Sequence, residues 1–145
     1  MKESFTARAE VDISADIERV WGALTDPSLI KQYLFGAEAV SDWKKGSPIT
    51  YRGVWEGKAY EDKGVVLEVS SPHVLKTTYW SALSGLPDSP ENYSTVEYRL
   101  AGWDGRVTLS VTQDNNPSRE AADHSRSNWQ TVLGKLKELV EGNNQ

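Results

Sequence analysis

The chain has no cysteine, one methionine, two phenylalanines and two histidines in 145 residues. Without cysteine there is no disulfide, no thiolate nucleophile and no sulfur-ligated zinc or iron–sulfur centre. Two histidines, His73 and His124, cannot build a histidine-rich metal site. The sequence has no run of about 18 apolar residues, so no helical membrane span is expected. The opening MKESFTARAEVDIS lacks the apolar core of a secretion signal. The expectation is a cytoplasmic protein with neither metal nor cofactor. Positive charge is also short, with 16 Lys and Arg against 21 Asp and Glu, a net −5. That balance argues against nucleic acid, whose binders gather basic patches.

What is present suits one globular domain over residues 1–145. Six Trp and six Tyr stand against two Phe and one Met. Aromatics with a polar handle fit places that are apolar on one side and wet on the other, such as pockets. They can also simply fill a core. The scarcity of Phe and Met favours the pocket.

Residues 4–13 alternate, with Phe5, Ala7, Ala9, Val11 and Ile13 on one face, as in a half-buried strand. Ser14 or Asp16 can cap a short helix to Thr25, and Asp26-Pro27 ends it and starts a second, about 27–33. Strand patterns follow at 37–42, 48–55, 58–70, 74–80, 94–101 and 106–113. Glu56-Gly57 reads as a two-residue hairpin turn, and Gly-Trp-Asp-Gly at 102–105 as another turn. The irregular stretch from Ser81 to Tyr93 is long for a hairpin loop, a length typical of lids and binding loops.

A long helix is expected over 118–141, capped by Asn116 or Ser118 and ended by Gly142. At about 100° per residue, Ser118, Ala122, Ser125, Trp129, Val132, Leu133, Leu136 and Val140 form one stripe. Its first half is small and its second half bulky. This predicts a packed floor at the C-terminal end and a hollow at the N-terminal end, beneath the 81–93 loop. The alternative is that the sheet closes on the small residues.

Strand, two short helices, six strands and a long helix resemble the helix-grip fold of the SRPBCC (START-like) superfamily. That is an α+β fold in which a curved antiparallel sheet of about seven strands wraps a C-terminal helix. The segments ISADIERVWGALTDP (13–27), SDWKKGSPITYRG (41–53), GVVLEVSSP (64–72) and SNWQTVLGKLKELVEG (127–142), with the Tyr33 region, resemble the activator of heat-shock protein 90 ATPase homologue family. The resemblance implies a deep apolar cavity between sheet and helix, used across the superfamily for hydrophobic ligands and by some members for cyclase or hydrolase chemistry. It carries no shared catalytic motif. Co-chaperone members have an additional N-terminal domain. This chain opens directly on the first strand, so a stand-alone, bacterial-type domain is expected.

No catalytic set stands out. His124 lies about 140° from Trp129 on the helical wheel, and His73 follows Pro72 in a turn, so both are expected in solvent. Neither has a nucleophile or acid at recognisable spacing. The carboxylates Glu56, Glu61, Asp62, Asp88 and Glu91 are read as solvated. Asp114-Asn115-Asn116 lacks the rest of a calcium loop. The candidate ligand-binding residues are Tyr33, Phe35, Trp43, Tyr51, Trp55, Tyr79, Tyr98, Ser118, Ala122, Ser125 and Trp129, with Arg52 or Gln113 as added polar groups. The leading reading is a non-enzymatic binder of a small hydrophobic or amphipathic molecule. The others are an enzyme in the same cavity, favoured by a buried polar constellation, and a module binding a protein partner, favoured by an exposed apolar patch.

Overall fold

A computed structural model describes residues 5–34, 36–81 and 85–142, the Trp55 side chain excepted. In chain order the elements are β1 (Phe5–Ile13), α1 (Ile17–Thr25), α2 (Pro27–Tyr33), β2 (Glu38–Val40), β3 (Pro48–Trp55), β4 (Lys58–Ser70), β5 (Val74–Tyr79), β6 (Ser94–Trp103), β7 (Arg106–Asn116) and α3 (Arg119–Gly142). The strands form one antiparallel sheet in the order β1-β7-β6-β5-β4-β3-β2. This is the α+β, seven-stranded helix-grip arrangement the sequence resembles. From β2 to β7 every strand pairs with its chain neighbour. Only β1 reaches across, with Ile13 opposite Val107 and Phe5 opposite Asn116.

Local chemistry sets the turns. Glu56-Gly57 and Asp104-Gly105 take positive φ at both residues, as two-residue hairpin turns require. The second turn is therefore two residues rather than four, and β6 runs on to Trp103, paired with Arg106. The strand β7 also extends past its expected end, to Asn116. That residue does not cap α3. Its amide nitrogen donates to the Phe5 and Gln113 carbonyls at 2.8 and 2.9 Å. Ser118 caps instead, its Oγ accepting from the Ala121 N–H at 3.0 Å. At Gly64 the backbone of β5 comes so close that a Cβ would lie 1.8 Å from the Thr78 carbonyl oxygen. Only glycine fits there.

The helix α3 lies mainly along β1. Lys137 Nζ donates to the Asp12 carbonyl at 2.8 Å and Glu141 accepts from the Ser14 N–H at 2.8 Å, tying both C-terminal ends together. Its buried Val132, Leu133, Leu136 and Val140 share one core with Ile13, Val107, Leu109 and Val111 of the sheet. From α1 and α2, Val20, Ala23, Leu24 and Ile30 close the same core. No helix among the described residues is long and apolar enough to cross a membrane.

Leu136 is 1% exposed. Leu136→Ala should lower the unfolding free energy by about 2–5 kcal/mol, measured by urea denaturation. A loss under about 0.5 kcal/mol would contradict this packing.

Candidate functional site

Alternation along the strands sorts side chains between the two faces of the sheet. On β3 and β4, Tyr51 opposes Asp62 and Arg52 opposes Glu61. Tyr51 and Asp62 point inward. Arg52 and Glu61 point outward and pair at 2.8 Å in solvent. Arg52 therefore supplies nothing to the concave side. Among the carboxylates expected in solvent, Asp62 departs from expectation: it is 6% exposed.

The inward residues enclose a cavity of about 540 Å³. Tyr51, Tyr60 and Asp62 line it from β3 and β4, Thr77 and Tyr79 from β5, and Val96 and Tyr98 from β6. Gln113 of β7 and Ser125, Asn128, Trp129 and Val132 of α3 form the opposite wall, while Leu34 and Ala37 close the side nearest α2. The volume falls within the range of about 300–1,000 Å³ typical of small-molecule sites.

Hydrogen bonds fix several of these groups. The Tyr79 hydroxyl donates to Asp62 Oδ2 at 2.6 Å, and the Trp129 indole N–H donates to Gln113 Oε1 at 2.8 Å. Ser125 Oγ donates to Asn116 Oδ1 at 3.0 Å. The rings meet edge to face, Tyr51 with Tyr79 at 6.2 Å and Tyr98 with Trp129 at 5.8 Å between centroids. Burial pushes the Tyr51, Tyr79 and Tyr98 phenols far above their ordinary range, and the Asp62 charge adds to this at Tyr51 and Tyr79. At neutral pH these hydroxyls keep their protons.

Of the candidate residues, the structure brings together Tyr51, Tyr79, Tyr98, Ser125 and Trp129 around the cavity. Tyr33 is buried beneath α1, its hydroxyl donating to the Ala23 carbonyl at 2.8 Å. Trp43 packs on the core from a left-handed backbone, φ 56°, without lining the cavity. Ser118 is an exposed cap, and Ala122 is buried outside the cavity lining. Phe35 and the Trp55 side chain lie outside the described residues.

The hollow therefore sits further along α3 than expected, from His124 to Val132. The helix start runs beside the start of β1, whose inward Ala7 and Ala9 are equally small and buried. Small residues there let helix and sheet close up. The described part of the 81–93 loop also docks elsewhere. Lys63 bridges to Trp80 on the outward parity, and Asp88 pairs with Lys63 and accepts from the Tyr93 hydroxyl at 2.6 Å. Among the described residues of that loop, only Ser81 lines the cavity. His124 is exposed, as expected, yet its side chain also borders the cavity rim. Sequence reading missed Asp62, Tyr60, Thr77 and Asn128. The strand alternation that placed Tyr51 inward, carried across the Glu56-Gly57 turn, would have found Asp62 and Tyr60.

The sequence model of the family described as Activator of Hsp90 ATPase homolog 1-like protein matches residues 14–141. Among solved structures, ChR145 from Cytophaga hutchinsonii is 43% identical, with a TM-score of 0.86 and 99% of each chain covered. MLL2253 from Mesorhizobium loti is 23% identical, with a TM-score of 0.78, covering 97% of this chain and 100% of its own. The Aha1 dimer from Colwellia psychrerythraea is 17% identical, with a TM-score of 0.74, covering 94% of this chain and 96% of its own. The last two likenesses speak for the fold alone. No curated protein matches the chain.

The tyrosines give a direct check. Burial raises the folded-state phenol pKa of Tyr33, Tyr51, Tyr79 and Tyr98 above the unfolded value of about 10. Their contribution to stability is fully present below about pH 10 and is lost as pH climbs toward the folded-state values. Phenolate absorbance at 295 nm, followed to about pH 11.5 in the folded protein, should report at most two of the six tyrosines. Four or more titrating without unfolding would contradict the burial.

Proposed function

The chain belongs to the Activator of Hsp90 ATPase homolog 1-like family, and from that premise we propose that it binds a small hydrophobic or amphipathic molecule in the cavity between sheet and α3. The carrying observation is the cavity wall: aromatic and aliphatic surface interrupted by a few polar groups, of which Asp62, the Tyr79 hydroxyl and Gln113 are held by hydrogen bonds. Ligand sites commonly have this make-up. The aromatics already rest in hydrogen bonds and ring contacts, so the site is organised before anything binds.

The buried Asp62–Tyr79 pair favours a second reading, an enzyme of the cyclase or hydrolase type. The same geometry argues against proton transfer by the phenols. A group whose pKa stands far above the working pH is a poor general acid, and its conjugate base is scarcely populated. The tyrosines are suited to donating hydrogen bonds to a bound molecule. A protein-binding surface has less support. Val40, Val54, Val65 and Leu67 are exposed on the outer face, but Thr50, Arg52, Glu61 and Lys63 share that face and break up the apolar area.

The wild-type protein should enhance the fluorescence of the neutral apolar dye N-phenylnaphthylamine. Thr77→Phe, which places a ring in the cavity, should abolish the enhancement while shifting stability by less than about 1 kcal/mol. Ala122→Trp should instead cost about 1–3 kcal/mol by overpacking and leave dye binding intact. Enhancement that survives Thr77→Phe would place the bound dye outside this cavity. Native mass spectrometry of protein from its own host would then identify any co-purified molecule.

A further inference from the structure

The head group of the ligand can be read from the charge in the cavity, an inference that rests on the binding reading above. Among the described lining residues Asp62 is the sole carboxylate, none is a lysine or an arginine, and His124 stands exposed at the rim. The side chain is on the inward parity of β4, in a residue 94% removed from solvent. Its position is held by the 2.6 Å bond from Tyr79. Tyr51 sits directly across the strand pair, and Tyr60 is two residues away on the same face. Beyond them, Tyr98 and Trp129 form the second edge-to-face pair.

The faces of such rings carry the negative end of a quadrupole, which attracts a cation within about 6 Å of the centroid. A carboxylate among them adds full negative charge in a region poor in water, where Coulomb attraction is stronger than at the surface. The field is felt by the neighbours: Asp62 helps raise the phenols of Tyr51, Tyr60 and Tyr79. An anionic head would meet repulsion from the Asp62 carboxylate and from the faces of the rings beside it. A neutral head would gain at most a hydrogen bond to the carboxylate, without the attraction between full charges.

We propose that the cavity selects an amphipathic organic cation, with a protonated amine or quaternary ammonium head beside Asp62 and an apolar body directed toward Val96, Val132 and Leu34. Selection then comes from one carboxylate and its ring of phenols, and affinity from apolar burial.

Three chains of equal length separate the possibilities. Decyltrimethylammonium, decanol and decanoate would each be titrated, below micelle-forming concentration, against the intact protein carrying N-phenylnaphthylamine. The cation should displace the dye at about tenfold lower concentration than the alcohol, with the carboxylate weakest. In Asp62→Asn the cation should lose most of that advantage, falling to within about threefold of the alcohol. Equal displacement by all three in wild type, or strongest displacement by decanoate, would overturn the charge selection and leave the binding reading standing. An advantage that persists in Asp62→Asn would overturn the assignment to Asp62. Failure of the dye to bind wild type at all would remove both readings. The wild-type ranking needs no variant, so it remains decisive if Asp62→Asn does not fold.

Discussion

One helix has to cover a sheet of seven strands, and the rest of the molecule follows from that mismatch. An α-helix with its side chains is about 10–12 Å across, and strands are spaced at about 4.8 Å. One helix therefore covers roughly two strands. The helix α3 spends its apolar stripe on β1 and the neighbouring part of β7, where aliphatic side chains and two polar ties at the C-terminal end hold it. The concave surface of β3 to β6 lies mostly beyond α3, with α1 reaching only β6 and β7. Tall side chains rise from it instead, and α2 screens the far side. The cavity is the remainder of this geometry.

That origin accounts for the kind of residue found there. A surface left open by the helix cannot be lined with leucine alone without exposing apolar area, nor with charges without heavy desolvation. Tyrosine meets both demands, with a ring that packs on its neighbours and a hydroxyl that faces polar partners. The ring contacts of Tyr51 with Tyr79 and of Tyr98 with Trp129, and the bonds to Asp62 and Gln113, join β3, β4, β5, β6, β7 and α3 around one space. The excess of Tyr and Trp over Phe and Met in the composition is the trace of this wall.

Much of the fold could be read from the residues. Strand alternation is a period-two signal and survives wherever one face is buried, as in Val96-Tyr98-Leu100 and Val107-Leu109-Val111. Turn chemistry fixed the Glu56-Gly57 hairpin. The helix stripe was equally plain, but what faced its small half was not. Ser118, Ala122 and Ser125 look alike in sequence. One is a cap, one is buried outside the cavity lining, and one borders open space, because tertiary neighbours and not local sequence decide what faces each. Asp62 was hidden for a different reason. A carboxylate in a charged run, Glu61-Asp62-Lys63, reads as solvated unless the parity of its strand is followed through the preceding turn. Of the 81–93 loop, Asp88 and Tyr93 dock beside Lys63 while Ser81 lines the cavity, and the length of the loop signals its presence but not the face on which each part docks.

The pairing of β1 with β7 orders events in time as well as space. The strands β2 to β7 each find their partner within the next few dozen residues, so their hairpins can close as they leave the ribosome. The first strand has no such neighbour. Phe5 waits for Asn116, and Ser14 for Glu141. Closing a loop of more than a hundred residues is slow relative to hairpin formation. During synthesis the inward alanines and isoleucine of β1 stay without the cover of α3 until that helix emerges. The helix α3 thus covers a strand made more than a hundred residues before it, and a nascent chain stopped short of α3 would hold the seven strands with the apolar face of β1 open to chaperones and to other chains.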